Sequence, residues 1–591
     1  MKRNSYKFLY KVLLAGALMS SFSCQKLMDV KPEDQVDIAN HYQTIYDANA
    51  AVIGIYGQLQ GIADRYIVLN ELRADLMSPT ANADQYLRQL NTFSVTPDNP
   101  WADPKPFYKI ILNCNDALKN FDIMLASSKL TQADYNERYA DVNAMRCFLY
   151  LQLGMHWGSV PYVTDPLETV DALKDANKFP KISFNDLLDK LIASMVSRSL
   201  QDYSSTNITG STSTSLNTTV DGYPTNLFFV NKRCLLADLY LWKGNYNAAA
   251  TLYRYVSDTG YRNIAGAGDA GYWQYKANWG VFLITYNRAG DESSFLDDNT
   301  NKSGWRAIFG NPVQGTDTGS EWIWTIPFDR NFAPVNPFID LFSNQGGRYL
   351  LTSSKLALNT WATQTQANGF VGDARAKISV RTINGQPVIA KPLYYYLNES
   401  TLIPTNVLQR QGRWLLYRGS ALNLRFAEAA CRDNQVKVAY ALTNVGVKGV
   451  YNGVFPGTGT VPSDVTNIMQ TMAPAPYDMD AREGQVPYYR SPWYRQIGTR
   501  TRANMPNLPA TLFQNNDVTG MENAIVDEDA AELAFEGYRW GDLLRISLRR
   551  NDMSFLADKV YNKLVSEGNA SASTARAKIM STNGAYLPFN L

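Results

Sequence analysis

Two carboxylates four residues apart, Glu532 and Glu536, form the pair in this sequence that most resembles an acid–base couple. Glycoside hydrolysis uses two such carboxyls, one to protonate the leaving oxygen and one as nucleophile or base. On a continuous helix the two would share a face. Arg539 and Arg545 follow at helical or turn spacing in Glu532-Leu-Ala-Phe-Glu536-Gly-Tyr-Arg539-Trp540-Gly-Asp542-Leu-Leu-Arg545. Counter-charges that close favour a structural ion-pair network over catalysis. Other chemistry finds less support. The two histidines, His41 and His156, are far apart, and no cysteine or carboxylate is arranged around them as a zinc site. Nucleophile-elbow, Walker and His-Glu-x-x-His motifs are absent from the sequence. Gly266-Ala-Gly268-Asp-Ala-Gly271 fits a dinucleotide fingerprint in form, but an aromatic loop follows it where a helix is required, so it reads as a glycine-rich turn. Asp297-Asp298-Asn299 reads as a solvated acidic loop before a calcium site. No metal and no cofactor is expected.

The elements that would carry these residues are mostly helical. Ala144, Cys147, Phe148, Leu151 and Met155 make an apolar stripe at helical spacing that stops at Gly158, with Pro161 just beyond. Ala237, Tyr240, Gly244, Tyr246 and Ala249 reproduce the spacing of a tetratricopeptide helix–turn–helix. One such hairpin cannot bury its faces alone, so several must stack. Further candidates are Phe107–Leu125 with Tyr135–His156, and Arg418–Cys431 with Ile525–Arg545. The expected fold is mostly α: a tetratricopeptide-like scaffold of about four helix pairs, with a loop-rich, irregular C-terminal half containing short strands such as Trp322–Ile326 and Ile378–Thr382. Residues 204–219 are a polar low-complexity loop. Cys114, Cys147, Cys234 and Cys431 are widely spaced in helix-like segments and read as buried free thiols.

The chain start carries an address. Lys2, Arg3, Lys7 and Lys11 precede an apolar run from Val12 to Phe22, then Ser23 and Cys24. That order is a secretory signal, and the run is too short to span a bilayer. A cysteine at the cleavage point is what lipoprotein processing modifies, so residues 1–23 read as a signal peptide and Cys24 as the lipid-attachment site. Removing the signal takes four of the 56 basic residues and none of the 54 acidic ones, which leaves the remainder with a net charge of −2. A near-neutral chain argues against a nucleic-acid partner held by bulk charge. Composition is globular, 45% apolar and 19% charged.

Glu528, Glu532, Leu533, Ala534, Phe535, Glu536, Gly537, Arg539, Trp540, Asp542, Leu543 and Arg545 resemble the signature of the SusD/RagB family, with Asp529 where an arginine is usual. Further matching blocks run in order along the chain: Cys24–Asp29, Tyr108–Asn115, Met145–Tyr150 continuing to Trp157–Pro161, the hairpin at 237–249, Ser320–Ile323, and Arg425–Ala429. The resemblance implies one SusD-like lipoprotein domain over 24–591, with a helical N-terminal part at about 40–260 and a C-terminal part at about 320–591. It implies a cell-surface lipoprotein of the outer membrane, anchored in its lipid through the acylated N-terminus. Such proteins capture oligosaccharides, or in some members peptides, for a SusC-like TonB-dependent transporter, without covalent chemistry.

Sugar capture rests on aromatic platforms with polar side chains for the hydroxyls. Two regions offer that combination. Asp75, Tyr86, Arg88 and Trp101 lie between early helices, and Trp273, Trp305, Tyr349 and Trp361 lie in the loop-rich middle. For each aromatic, core packing competes with ligand contact. A surface glycosidase and a ligand-free repeat scaffold are the readings from other classes.

Overall fold

The computed structural model describes residues 42–199, 216, 218–220, 223–259, 301, 304–310, 321–451, 465–466, 473–479, 481, 483–484, 493 and 496–591. Cys24, the 266–271 glycines, Trp273 and the 297–299 loop lie outside these. Helices dominate the described residues, as the periodicity predicts. Helix α1 (Ile45–Gln60) starts on a capping box in which Thr44 and Asp47 satisfy each other's end groups. It leads through Gly61-Ile62 into the short α2 (Ala63–Ile67), which continues as a π-turn over Val68–Leu72. After α3 (Gln85–Asn91) come the long α4 (Lys105–Ala126) and α5 (Gln132–Trp157), packed against each other as a hairpin.

Thr131 caps α5 by accepting from the Asp134 amide at 3.1 Å, and Gly158 ends it at φ +72°. The stripe at 144–155 faces the core, but so does the rest of the circumference from Tyr139 to Trp157. A helix enclosed by neighbours on every side has no solvent face for a stripe to oppose. Helix α6 (Phe184–Ser194) packs on α5 and α7 (Lys232–Lys243). The turn from α7 to α8 (Tyr246–Thr259) is the predicted one. Gly244 sits at φ +83°, and Asn245 donates its amide back to the Tyr240 carbonyl at 2.9 Å.

Helix α9 (Gly419–Arg432) forms its hairpin with α10 (Val436–Thr443), turning at Asn434 (φ +62°). The expected partner, Ile525–Arg545, packs on α9 as well but is two helices, α11 (Val518–Glu532) and α12 (Arg539–Arg550). Phe535 and Gly537 take φ of +66° and +92°, which no helix can continue through. A Cβ on Gly537 would stand 2.3 Å from the Tyr66 ring, so the break needs glycine. Helices α13 (Ser554–Ser566) and α14 (Ala572–Ile579) form another pair, with a short helical turn at Thr582–Ala585 packed on α14.

Strands are short and antiparallel. β1 (Met77–Pro79) pairs with β3 (Leu351–Ser353), joining early and late chain. β2 (Trp322–Phe328), fully buried, pairs with β6 (Gly412–Arg418), with a bulge near Leu415–Tyr417. β4 (Val380–Ile383) and β5 (Gln386–Ile389) form a hairpin at Asn384-Gly385, both at positive φ as a type I′ turn requires. Cys114, Cys147, Cys234 and Cys431 are free and buried. No helix among the described residues is long and apolar enough to cross a membrane.

Gly154 shows how close the packing is. A Cβ there would lie 2.2 Å from the Phe184 ring and 3.2 Å from Leu187. Gly154→Ala should therefore destabilise by about 1–3 kcal/mol, seen as a lower urea midpoint at unchanged slope. Adding Phe184→Leu should recover part of that loss.

Candidate functional site

The carboxylate pair is not laid out for acid–base chemistry. Glu532 ends α11 and Glu536 lies within the helix break, yet both turn inward to the same cations. Arg418, at the end of β6, donates to Glu536 at 2.7 Å and to Glu532 and Glu321 at 3.0 Å. Arg375 bonds Asp373 at 2.7 Å, Glu528 at 2.5 Å and Glu532 at 3.1 Å. Arg502 reaches Glu532 at 2.8 Å and also pairs with Glu321, while Lys391 donates to Glu536 at 2.8 Å. Trp305 and Ser420 donate to Glu532 at 3.1 and 2.8 Å. Burial alone would raise the Glu532 carboxyl, but Arg502, Arg418, Arg375 and Lys391 overcome it and hold Glu532 well below the usual range. Its oxygens are filled and it has no proton to give. The expected counter-charges, Arg539 and Arg545, instead serve Asp75 and the Glu428–Asp542 pair. Asp529, the departure from the signature, is buried beside Asp542 and Glu428, and burial with those two charges raises its carboxyl well above the normal range.

Four of the eight ligand candidates belong to this interior. Asp75 is bonded bidentately by Arg539 at 2.6 and 2.8 Å. Burial raises its carboxyl, and the Arg539 charge outweighs that and takes it down to about 2. Trp305 is fully buried over Lys391 and Glu532. Tyr349 is buried with its hydroxyl donating to the Pro387 carbonyl at 2.8 Å. Trp361 packs edge-on against Phe535. Each has its surface taken up by protein, so none offers a platform.

Tyr86, Arg88 and Trp101 remain at the surface. Buried Asn99 organises two of them, donating to the Tyr86 carbonyl at 2.9 Å and accepting from the Trp101 amide at 3.0 Å. Tyr86 donates to Asp98 at 3.2 Å, and the Arg65 guanidinium lies 6.0 Å from the half-buried Trp101 ring. Arg88 binds the Thr80 and Ala81 carbonyls, and Asn82 reaches the Arg348 carbonyl at 3.0 Å. The early loop and the middle of the chain thus meet at the β1–β3 seam.

Five residues before Arg65, Gln60 lines a cavity of about 210 Å³ between the end of α1, the residues Val220, Tyr223 and Phe228, and the loop after β2. Tyr56, Tyr223, Phe228 and Phe332 bring aromatic rings to it, with Ile53, Val220 and Ile326 as aliphatic wall. Phe332 is 52% exposed. Asp329 is fixed on both oxygens, by the Tyr223 hydroxyl at 3.1 Å and the Asn331 amide at 2.7 Å. Burial, then Tyr395 and Asp329, raise the Tyr223 phenol, so it stays a donor. Gly57 lines the same cavity, and a Cβ there would meet nothing within 4 Å. A glycine inside a helix costs roughly 1 kcal/mol, and here its missing side chain leaves the cavity open. Rings, aliphatic wall and a fixed carboxylate suit a ligand with apolar faces and hydroxyl edges. The sequence reading missed these residues. The available signals were glycines at 54 and 57 inside an otherwise helical run, and a lone Phe in Asp-Arg-Asn-Phe332-Ala-Pro.

Two substitutions test the interior. Glu532→Gln leaves three arginines short of a charge and should cost about 3–5 kcal/mol in chemical denaturation. Glu71 accepts from the Gly537 and Tyr538 amides at 2.7 and 3.1 Å with its other oxygen unpartnered. Burial pushes its carboxyl up to about 8, against the partial relief of those amides. The folded state then holds this proton more tightly than the unfolded one, so its contribution is full below about 4.5 and is lost as pH rises toward 8. Glu71→Gln should gain on the parent by at most about 1.4 kcal/mol per pH unit between pH 5 and 8. A constant difference across that range would contradict it.

Residues 493–586 match the model of the SusD family. SusD-like protein P25 of Formosa agariphila is 26% identical over 166 residues, 25% of this chain and 30% of the relative. The chain thus matches under a third of that protein's length. A SusD superfamily protein from Bacteroides thetaiotaomicron superposes with a TM-score of 0.55 at 16% identity, over 93% of this chain and 95% of that one. A laminarin-binding SusD-like protein gives 0.53 at 13%, over 91% and 98%. The buried signature charges from Glu528 to Arg545 all lie inside the matched segment, so the chain resembles the SusD family in sequence over residues 493–586 and shares the fold of SusD-like proteins over nearly its whole length.

Proposed function

We propose that this protein captures oligosaccharides at the cell surface and binds them in the cavity beside Gly57, Tyr223, Asp329 and Phe332, with Trp101 as an outlying platform. The observation that carries the reading is the exposed Phe332 ring at the mouth of an aromatic-walled cavity that also holds a fixed carboxylate. Sugar rings present apolar faces to stack on aromatics and hydroxyl edges to bond Asp329, Tyr223 and Gln60. At about 210 Å³ the cavity is smaller than the roughly 300–1,000 Å³ that enclose a drug-sized ligand, so it seats one ring and leaves a longer chain outside. The named ligand of the laminarin-binding neighbour agrees with this class. Capture needs no bond-making, and the inward, fully paired Glu532 and Glu536 support binding without hydrolysis.

The same reading places the mature chain on the outer membrane, held by acylated Cys24 and handing its ligand to a SusC-like TonB-dependent transporter. The apolar run and cysteine of the leader support the anchor. In a cell, Cys24→Ala should release the protein from the membrane fraction.

Calorimetry against gluco-, manno- and galacto-oligosaccharides, with unstructured peptides as the contrasting arm, tests the site. Gly57→Leu should cut glycan affinity at least tenfold with no loss of thermal stability, because leucine is a better helix former than glycine. Gly54→Leu, three residues earlier and outside the cavity wall, should leave affinity alone. Phe332→Ala and Trp101→Ala should each weaken binding by about 1 kcal/mol or more. Binding of peptides without any glycan, or product release from a polysaccharide, would overturn the reading.

A further inference from the structure

Charge in the cavity beside α1 is one-sided. Among the described residues that line it, Asp329 alone carries a formal charge, and no lysine, arginine or histidine joins it. The nearby cations stay outside the wall, although the Arg413 guanidinium acts on the Tyr395 and Tyr223 phenols from behind it. Arg413 lies 4.2 Å from the Trp322 ring centroid and donates to Thr325, and Arg65 is tied to the Pro100 and Asp103 carbonyls. Arg330 is exposed beside the cavity and is not part of its wall.

Asp329 is also fixed. The Tyr223 hydroxyl holds one oxygen and the Asn331 amide the other, so the carboxylate cannot swing away from an incoming group. A carboxylate has about four acceptor sites, and two are used here. The free lone pairs accept from hydroxyls and repel any anion brought to hydrogen-bonding distance. The surrounding wall of Ile53, Val220, Phe228 and Ile326 keeps the local dielectric below that of water, which strengthens both effects.

We infer that this cavity selects by charge, taking uncharged sugar rings and rejecting rings that carry a carboxylate or a sulfate ester. The inference rests on the glycan reading above and adds the substrate class. A uronate ring has nearly the shape of the parent hexose and differs in one oxidised carbon. Shape cannot separate the two, whereas a fixed negative charge can. The expected discrimination is at least tenfold, about 1.4 kcal/mol.

The test uses the full chain and matched ligands. Hexasaccharides of glucose, mannose and galactose are compared by calorimetry with the same chains oxidised at C6, at low and at 0.5 M salt. At least one neutral hexasaccharide should bind, its uronate should bind at least tenfold more weakly, and salt should narrow the gap. Asp329→Asn keeps a carbonyl to accept from Tyr223 but removes the charge, so the neutral-to-uronate affinity ratio should fall toward one. Thermal melting of the variant checks its fold, and Asp329→Ser gives a second uncharged variant should the first not fold. Equal or tighter binding of a uronate by the parent would overturn the charge inference and leave the glycan reading standing. A ratio that persists in both uncharged variants would overturn it as well. Failure of neutral and oxidised chains alike would overturn the glycan reading, and the charge inference with it.

Discussion

Everything in the C-terminal half depends on a set of charges taken out of water. Glu532, Glu536, Glu528, Glu321 and Asp373 face Arg375, Arg418, Arg502 and Lys391 in one connected interior cluster. An unpaired charge in that place would cost several kcal/mol, so each is tolerable only while its partners are present. The cluster is therefore close to all-or-none. Its members come from the end of β2's flank, the end of β6, the segments at 373–375 and 391, the short helix around Arg502, and the break between α11 and α12. No local preference would bring these pieces together, and the shared charge requirement does. Burial lowers Lys391 to about 8 even with Glu536 beside it, which shows how dry the cluster is.

From there the order spreads to the N-terminal half through a few long-range bonds. The break that turns Glu536 inward also exposes the Gly537 and Tyr538 amides, and Glu71 on the π-turn accepts both. One turn on, Arg539 clamps Asp75, and Arg73 places its guanidinium 3.9 Å from the Trp540 ring centroid. With residues 71–75 held, β1 is delivered to β3 and the Thr80–Asn82 segment to the Arg348–Leu350 backbone. The signature reads most simply as the means by which the end of the chain fixes its beginning. Tyr86, Trp101 and the end of α1 take their positions from that join.

What the sequence revealed was what depends on near neighbours. The α4–α5 and α7–α8 hairpins, the glycine turn at 244, the exit at Gly158 and the buried thiols follow from spacing alone. The ion pairs do not, because a partner such as Arg539 for Asp75 lies 464 residues away and no pattern announces it. Asp75 therefore looked like a free polar group beside aromatics. Trp305, Tyr349 and Trp361 looked like loop aromatics because helices of seven or eight residues are too short for periodicity to announce: Trp305 lies in Gly304–Gly310 and Trp361 in Lys355–Ala362, and all three rings are buried. Glu532 and Glu536 were legible as structural, but the helix break between them was not. Phe535 at positive φ is a choice the tertiary fold imposes on a residue that does not prefer it.

The cavity beside α1 has the opposite character, and the contrast bears on how it would act. The interior cluster is rigid because its charges must all be met. The cavity wall is set by a helix, a strand end and a carboxylate pinned at both oxygens, with its opening secured by a side chain that is missing at Gly57. Clearance built into a helix does not have to be reopened each time a ligand arrives, so little ordering cost is left to the binding step. Phe332 is the exception, exposed on a turn after β2 and attached to a strand whose partner, β6, ends at Arg418 in the charge cluster. An exposed ring at the mouth of a fixed cavity leaves one face open to an incoming ring while the floor stays constant. That division suits capture from a mixed supply of chains, in which the terminal ring is recognised closely and the remainder hardly at all.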